Sequence, residues 1–353
     1  MMKIGFHTNG LSLRGTEIAL YDYALQNQRL LGNESVVFYR KNNAVNPSVL
    51  EKFSKHFQLC PYEGQRELNQ FIEQEKIDLT YFIKSGERDD AICESSPALI
   101  HAVFPTKPEE FHGDKYAFVS EWLSKEYSNQ KIPFVPHMIE LPHHEGNLRA
   151  QFDIPESATV LGWYGGLDSF NLNFVKQEVL TALDKRTDLY FLFMNMEPFA
   201  QHERLRFLAG NSDLIYKVKF INTCDGMLHA RGIGESFGLA CGEFSIKGKP
   251  VITYALSPQR SHIEILGDKA ILYKGKKDLA EIFQNFNRQI QHQKNWDAYS
   301  KNFSPDVVMR KFNEVFIQGK NLAEIAITPI DRAIIQKYRF ERKLRNLQKK
   351  IYL

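Results

Sequence analysis

The 353-residue chain has no Cys-x-x-Cys pair; its four cysteines, Cys60, Cys93, Cys224 and Cys241, are scattered. That spacing argues against a zinc site and suggests no disulfide framework, so free thiols in a reducing compartment are expected. No uncharged apolar run approaches the ~20 residues that span a bilayer. The opening Met1-Met2-Lys3-Ile4-Gly5-Phe6 reads as a first strand, without the apolar stretch and small-residue cleavage site of a signal peptide. A cytoplasmic location is the expectation. Charge of one sign does not dominate either: 45 Lys and Arg face 42 Asp and Glu, a net +3 that does not demand nucleic acid as a partner. No Asp-x-Asp stands at a strand end and Asp89-Asp90 falls in a charged loop, so neither a metal nor a cofactor is expected. Residues 10–16 lack the lysine of a Walker loop, and no convincing Ser/His/Asp order is present.

What the chain does have is the composition of a soluble globular protein, 43% hydrophobic and 25% charged, at a length that suits two domains. Short apolar runs alternate with amphipathic segments, the mark of helices packed around parallel strands. Strands are predicted in the first half at 3–8, 35–39, 78–83, 98–104, 117–120 and 134–136, with a helix over 16–31 stopped by Gly32. A second alternation predicts strands at 159–163, 189–194, 214–218, 227–229, 251–254 and 270–273, with helices near 172–183, 278–291 and 305–317. Residues 141–147 have linker composition. The expected division is therefore 1–145, 146–320 and a basic helical tail, 321–353. The fold class is α/β: two doubly wound domains with a cleft between them, since ligands sit outside the carboxyl ends of such strands.

The tail has a character of its own. Residues 332–353 hold eight Lys or Arg and a single acid, Glu341, while Ile334, Ile335, Tyr338, Leu344, Leu347 and Ile351 recur at loosely helical spacing. Two readings stand: a terminal helix packed on its own domain, or a basic amphipathic helix resting on an anionic membrane.

Residues 225–253 are the most informative. A short apolar strand runs into a Gly-punctuated loop carrying Arg231 and Glu235, then into a helix carrying Glu243, then into the strand at 251–254. Amide groups at a helix start attract phosphate, and carboxylates accept hydrogen bonds from sugar hydroxyls. The spacing Glu-x7-Glu, with Ser236-Phe237-Gly238 after the first acid and Gly248-Lys249-Pro250-Val251-Ile252 downstream, resembles the donor-site motif of retaining GT-B glycosyltransferases of the family-4 type. The resemblance implies two Rossmann-like domains facing across a cleft. It also implies metal-independent transfer of a sugar, with retained configuration, from a nucleoside diphosphate-sugar to a hydroxyl of a glycan, glycolipid or protein-linked sugar. Glu235 would bond the donor sugar, Glu243 the ribose, and Ser236, Phe237, Gly238 and Leu239 would face the diphosphate.

Further matches follow from the same resemblance. Arg14, Gly15 and Thr16 correspond to a glycine loop that faces both substrates, with Arg14 on the acceptor side. His101, in Leu99-Ile100-His101-Ala102, would be a cleft-lining catalytic group, or else a hydrogen-bonded core histidine. His137 reads as structural. Lys84, before Ser85-Gly86, would touch the acceptor, or else only precede a turn. One departure stands out: the family usually ends the first strand of its second domain in Gly-Arg, with a Lys several residues on. Here the strand ends Trp163-Tyr164-Gly165-Gly166-Leu167-Asp168. Unpaired buried phosphate charges are costly, so Arg231 is the expected catalytic replacement and Lys176 a weaker one. Gly165 and Gly166 would then line the donor, and Asp168 would bond one of its hydroxyls. The alternatives are a GT-B nucleotide-sugar epimerase and a non-catalytic nucleotide-sugar-binding protein of the same fold.

Overall fold

The computed structural model describes residues 1–352, with only the backbone for 350–352; the side chain of Ile351 and all of Leu353, both in the basic tail, lie outside the described residues. The chain forms two compact units, one made of 1–138 with 302–339, the other of 139–301 with the residues from 340 on.

The first unit is a six-stranded sheet of β1 (Lys3–Thr8), β2 (Glu34–Arg40), β3 (Gln58–Tyr62), β4 (Leu79–Lys84), β5 (Ala98–Ala102) and β6 (Lys115–Phe118), in the order β3-β2-β1-β4-β5-β6. All neighbours run parallel. Strands covered on both faces read as near-continuous apolar runs, and β5 is buried at every position. The first crossover is the helix Gly15–Leu31, closed by Gly32 at φ 66°, a left-handed cap that glycine adopts without a Cβ clash. The winding reverses between β1 and β4, the topological position where doubly wound sheets bind ligands.

Residues 302–320 belong to this first unit, not to the second domain as expected, and the changeover lies at 138/139 in place of 145/146. The reason is aromatic. Helix Pro305–Phe312 sets the fully buried Phe312 ring 5.5 Å from Tyr23 and 5.4 Å from Tyr81, and Phe316 lies 5.4 Å from His101. Rings at these separations add about 0.5–1.5 kcal/mol per pair beyond the area they bury.

The second unit contains β7 (Thr159–Tyr164), β8 (Leu189–Met194), β9 (Leu205–Leu208), β10 (Gly226–His229), β11 (Gly234–Glu235), β12 (Val251–Tyr254), β13 (Gln259–Arg260) and β14 (Ala270–Tyr273). Six of these form a parallel sheet in the order β14-β12-β10-β7-β8-β9, and β11 pairs with β13 apart from it. Counted along the chain, this sheet winds as the first one does, and it reverses between β7 and β10.

Three predicted elements differ. Residues 214–218 are not a strand but the start of helix Leu214–Thr223, because the Asp213 carboxylate accepts from the amides of Ile215 (2.7 Å) and Tyr216 (3.4 Å). Residues 134–136 supply only an isolated bridge from Phe134 to Phe118. The single helix expected over 278–291 is two, Lys276–Asn285 and Arg288–His292, separated where Phe286 turns extended. The tail is one helix, Pro329–Tyr352. Among the described residues no helix is long and apolar enough to cross a membrane.

Candidate functional site

At the carboxyl end of β10 in the second unit, the chain leaves the sheet through Ala230-Arg231-Gly232-Ile233 and re-forms a two-residue ladder at Gly234–Glu235. Gly234 has φ 80°, and a Cβ there would lie 2.0 Å from the Gln259 carbonyl oxygen, so only glycine fits. Gly238, at φ 99°, caps the following helix Leu239–Ile246, and no side chain caps that end. Between these two glycines Glu235 is held from two sides. His229 Nε2 lies 3.1 Å from its Oε1 and Arg231 donates to its Oε2 at 2.6 Å. Burial alone would raise the Glu235 carboxyl pKa. The His229 bond and the Arg231 charge outweigh burial and leave it below the ordinary value. A carboxylate only accepts hydrogen bonds, so His229 Nε2 donates to Glu235, while Nδ1 lies 2.8 Å from Thr253 Oγ1. His262 Nε2 stands 2.9 Å from the same hydroxyl, its ring held neutral chiefly by burial. Tyr273 Oη donates to the His229 carbonyl at 2.8 Å. Sequence reasoning missed His229, Thr253 and His262.

Glu243 is arranged differently from a carboxylate open to a ribose. Its side chain is only 9% exposed, Lys217 Nζ donates to Oε1 at 2.9 Å, and the Tyr164 hydroxyl donates to Oε2. Burial first, and then the Glu243 charge, push the Tyr164 phenol well above its usual range. Lys217, from the helix misread as a strand, is the buried cation that spacing did not reveal.

The loop after β7 is the open part of the site. Gly166 and Asp168 are exposed and Leu167 is 59% exposed, while the Gly165 carbonyl accepts from Asn195 Nδ2 at 2.7 Å. Ser236 and Leu239 are half-buried, and Phe237 is buried with its ring edge-on to Tyr299. Lys176 Nζ lies 5.8 Å from the centroid of the Phe199 ring, on a different element from Glu235. Among the described residues no group of three or more His, Cys, Asp or Glu is placed to hold a metal ion.

In the first unit the loop after β1 places Arg14 and Gly15 on the surface at the start of their helix, and Thr16 Oγ1 donates to Glu17 at 2.6 Å. Glu17 is buried at that helix start, and burial raises its carboxyl pKa against the pull of Thr16 and Ser12. Two expectations are corrected here. His101 is fully buried: Nδ1 meets Tyr81 Oη at 2.5 Å and Nε2 meets the Val135 carbonyl at 2.8 Å, so it is a satisfied core histidine and lines no open surface. Lys84 is 3% exposed, its charge is met by Asp89, and its other contacts are the Ala91 carbonyl at 3.1 Å and His112 Nε2 at 3.2 Å, so its three donors are used within the core and none is left for an acceptor.

Burial lowers the pKa of His101 and of His7 from the ordinary 6.5 to about 3. The folded value is the depressed one, so the stability each neutral ring contributes is complete above pH 6.5 and is lost as pH falls toward 3. Each ring is expected to cost about 2 kcal/mol by pH 5. Urea unfolding between pH 7 and 5 should show this decline, and His101→Gln should remove about one proton from its slope.

No family model matches the chain, and no curated protein matches it. Solved structures do. Anabaena HepE in complex with UDP-glucose is 15% identical with a TM-score of 0.69, over 90% of this chain and 100% of that one. A glycosyltransferase from Rickettsia africae is 13% identical with a TM-score of 0.65, over 90% and 98%. A protein from Listeria monocytogenes described as a UDP-N-acetylglucosamine 2-epimerase is 13% identical with a TM-score of 0.58, over 90% and 97%. The chain therefore has the GT-B fold, each unit a Rossmann-like doubly wound sheet.

Proposed function

We propose that the protein is a glycosyltransferase that moves a sugar from a nucleoside diphosphate-sugar to a hydroxyl acceptor, with retention at the anomeric carbon and without a divalent ion. The observation that carries this reading is Glu235, fixed by His229 and Arg231 immediately before a helix start that no side chain caps. Each carboxylate oxygen keeps a further lone pair for a sugar hydroxyl. The helix amides at 239–241 and the remaining donors of Arg231 meet the charge that develops on the diphosphate as the C1–O bond opens. The departing phosphate takes the acceptor proton, so this route needs no strong protein base. His101, buried in the core of the first unit, takes no cleft-lining part in this route, and Glu243 serves to hold Lys217 and Tyr164. Arg14 stays on the acceptor side by the same topological rule, applied to the first unit.

UDP-sugars are the first donors to try, because HepE binds UDP-glucose. A panel of UDP-, GDP-, ADP- and CMP-sugars with mixed glycan and glycolipid acceptors should give nucleotide release with one base. Tight nucleotide binding without release across the whole panel would favour a binding protein instead. The second reading is an epimerase, favoured by the Listeria likeness. It would exchange a sugar C–H for solvent deuterium while the sugar stays joined to its nucleotide.

A further inference from the structure

The helix Pro329–Tyr352 has two faces of different chemistry. One is docked on the protein. Asp331 is 3% and Ile335 8% exposed; Asp331 accepts from Asn129 Nδ2 at 2.9 Å, and Lys349 Nζ donates to the Gly232 carbonyl at 2.9 Å. The other face is bare: Phe340 is 62%, Leu344 44% and Leu347 58% exposed. At about 100° per residue these three side chains share an arc of roughly 60°, on the side of the helix away from Lys349. The exposed Lys343 borders the arc on one side and the exposed Lys337 on the other.

We infer that this bare face docks on an anionic lipid surface. Three large apolar groups between flanking lysines match the boundary between acyl chains and headgroups, where ammonium groups reach up to lipid phosphates as the rings and methyls sink. The charge is concentrated here: 332–353 carries eight basic residues and one acid, a local +7 within a chain of net +3, so the rest is net −4. The attraction is therefore specific to the tail, with Lys337 and Lys343 beside the arc contributing about 1 kcal/mol each near an anionic leaflet. A nucleobase could stack on Phe340, but nucleic acid offers nothing that would cover Leu344 and Leu347. A second copy would set one +7 helix against another.

The test uses the whole chain and does not depend on the sugar-transfer reading. Sedimentation with phosphatidylcholine vesicles doped with phosphatidylglycerol should pull the protein down, and undoped vesicles should not. Leu344→Asp/Leu347→Asp, and separately Lys337→Glu/Lys343→Glu, should each weaken that partition at least about tenfold. Salt at ~0.5 M should weaken it further in the wild type. All four positions are exposed, so folding should persist, and circular dichroism checks it. Equal recovery with both vesicle types, or recovery unchanged in the variants, overturns the inference. So does a dimer in light scattering that the Asp variant splits, which would make the occupant a second copy.

Discussion

Glu235→Gln is expected to lower the rate of nucleotide release with a productive donor by about 10²–10³-fold, the loss seen when one preorganised charge-stabilising group is removed from a transfer site. The amide keeps the shape of the side chain but cannot accept from both His229 and Arg231 while also gripping a sugar hydroxyl. Its cost to stability should be smaller. Leaving Arg231 without its 2.6 Å partner, in a loop where its side chain is 26% exposed, is worth about 1–3 kcal/mol. The two effects separate by experiment: kcat/KM measured beside urea unfolding should show activity collapsing while the midpoint moves modestly. An activity within threefold of wild type would reduce Glu235 to a loop anchor and remove the main support for sugar transfer at this position.

Lys217→Met is expected to produce the largest loss of stability. Lys217 and Glu243 are 8% and 9% exposed, and removing the cation strands a carboxylate whose remaining hydrogen-bond partner among the described residues is the Tyr164 hydroxyl. Breaking a buried pair from one side costs about 3–5 kcal/mol. Adding Glu243→Gln should recover part of that, because the stranded charge then disappears, and a double-mutant cycle should give a coupling of about 0.5–3 kcal/mol. Additive losses would show that the two side chains do not act as a pair.

The fold was largely legible because parallel strands covered on both faces are unbroken apolar runs, and β7, β8 and β12 declare themselves that way. The two missed strands of the six-stranded sheets, β3 and β9, are both at edges, and the two-residue ladder of β11 and β13 is too short to show a period. β3 carries Pro61, which argues against a central strand but is tolerated at an edge, and β9 has only four residues. In the site, Glu235 could be found from its glycines and its strand. Lys217 was hidden because Leu214, Ile215, Tyr216 and Val218 fill a window too short to show a helical period. The signal that was available is Asp213, a capping residue directly ahead of them. His101 was misjudged for a related reason: a polar residue in an apolar strand end has the same pattern whether it meets substrate or meets Tyr81. The His229–Thr253–His262 relay joins residues 24 and 9 positions apart, and no local pattern announces such a pairing.

The aromatic patch that Phe312 and Phe316 cover on the first sheet is assembled from residues synthesised early, Phe6, Tyr23 and Tyr81 among them. During translation that patch must wait, uncovered, until Phe312, 231 positions after Tyr81, has left the ribosome. The first sheet thus cannot mature ahead of that segment, and a nascent chain that has not yet released it offers holdase chaperones an apolar surface.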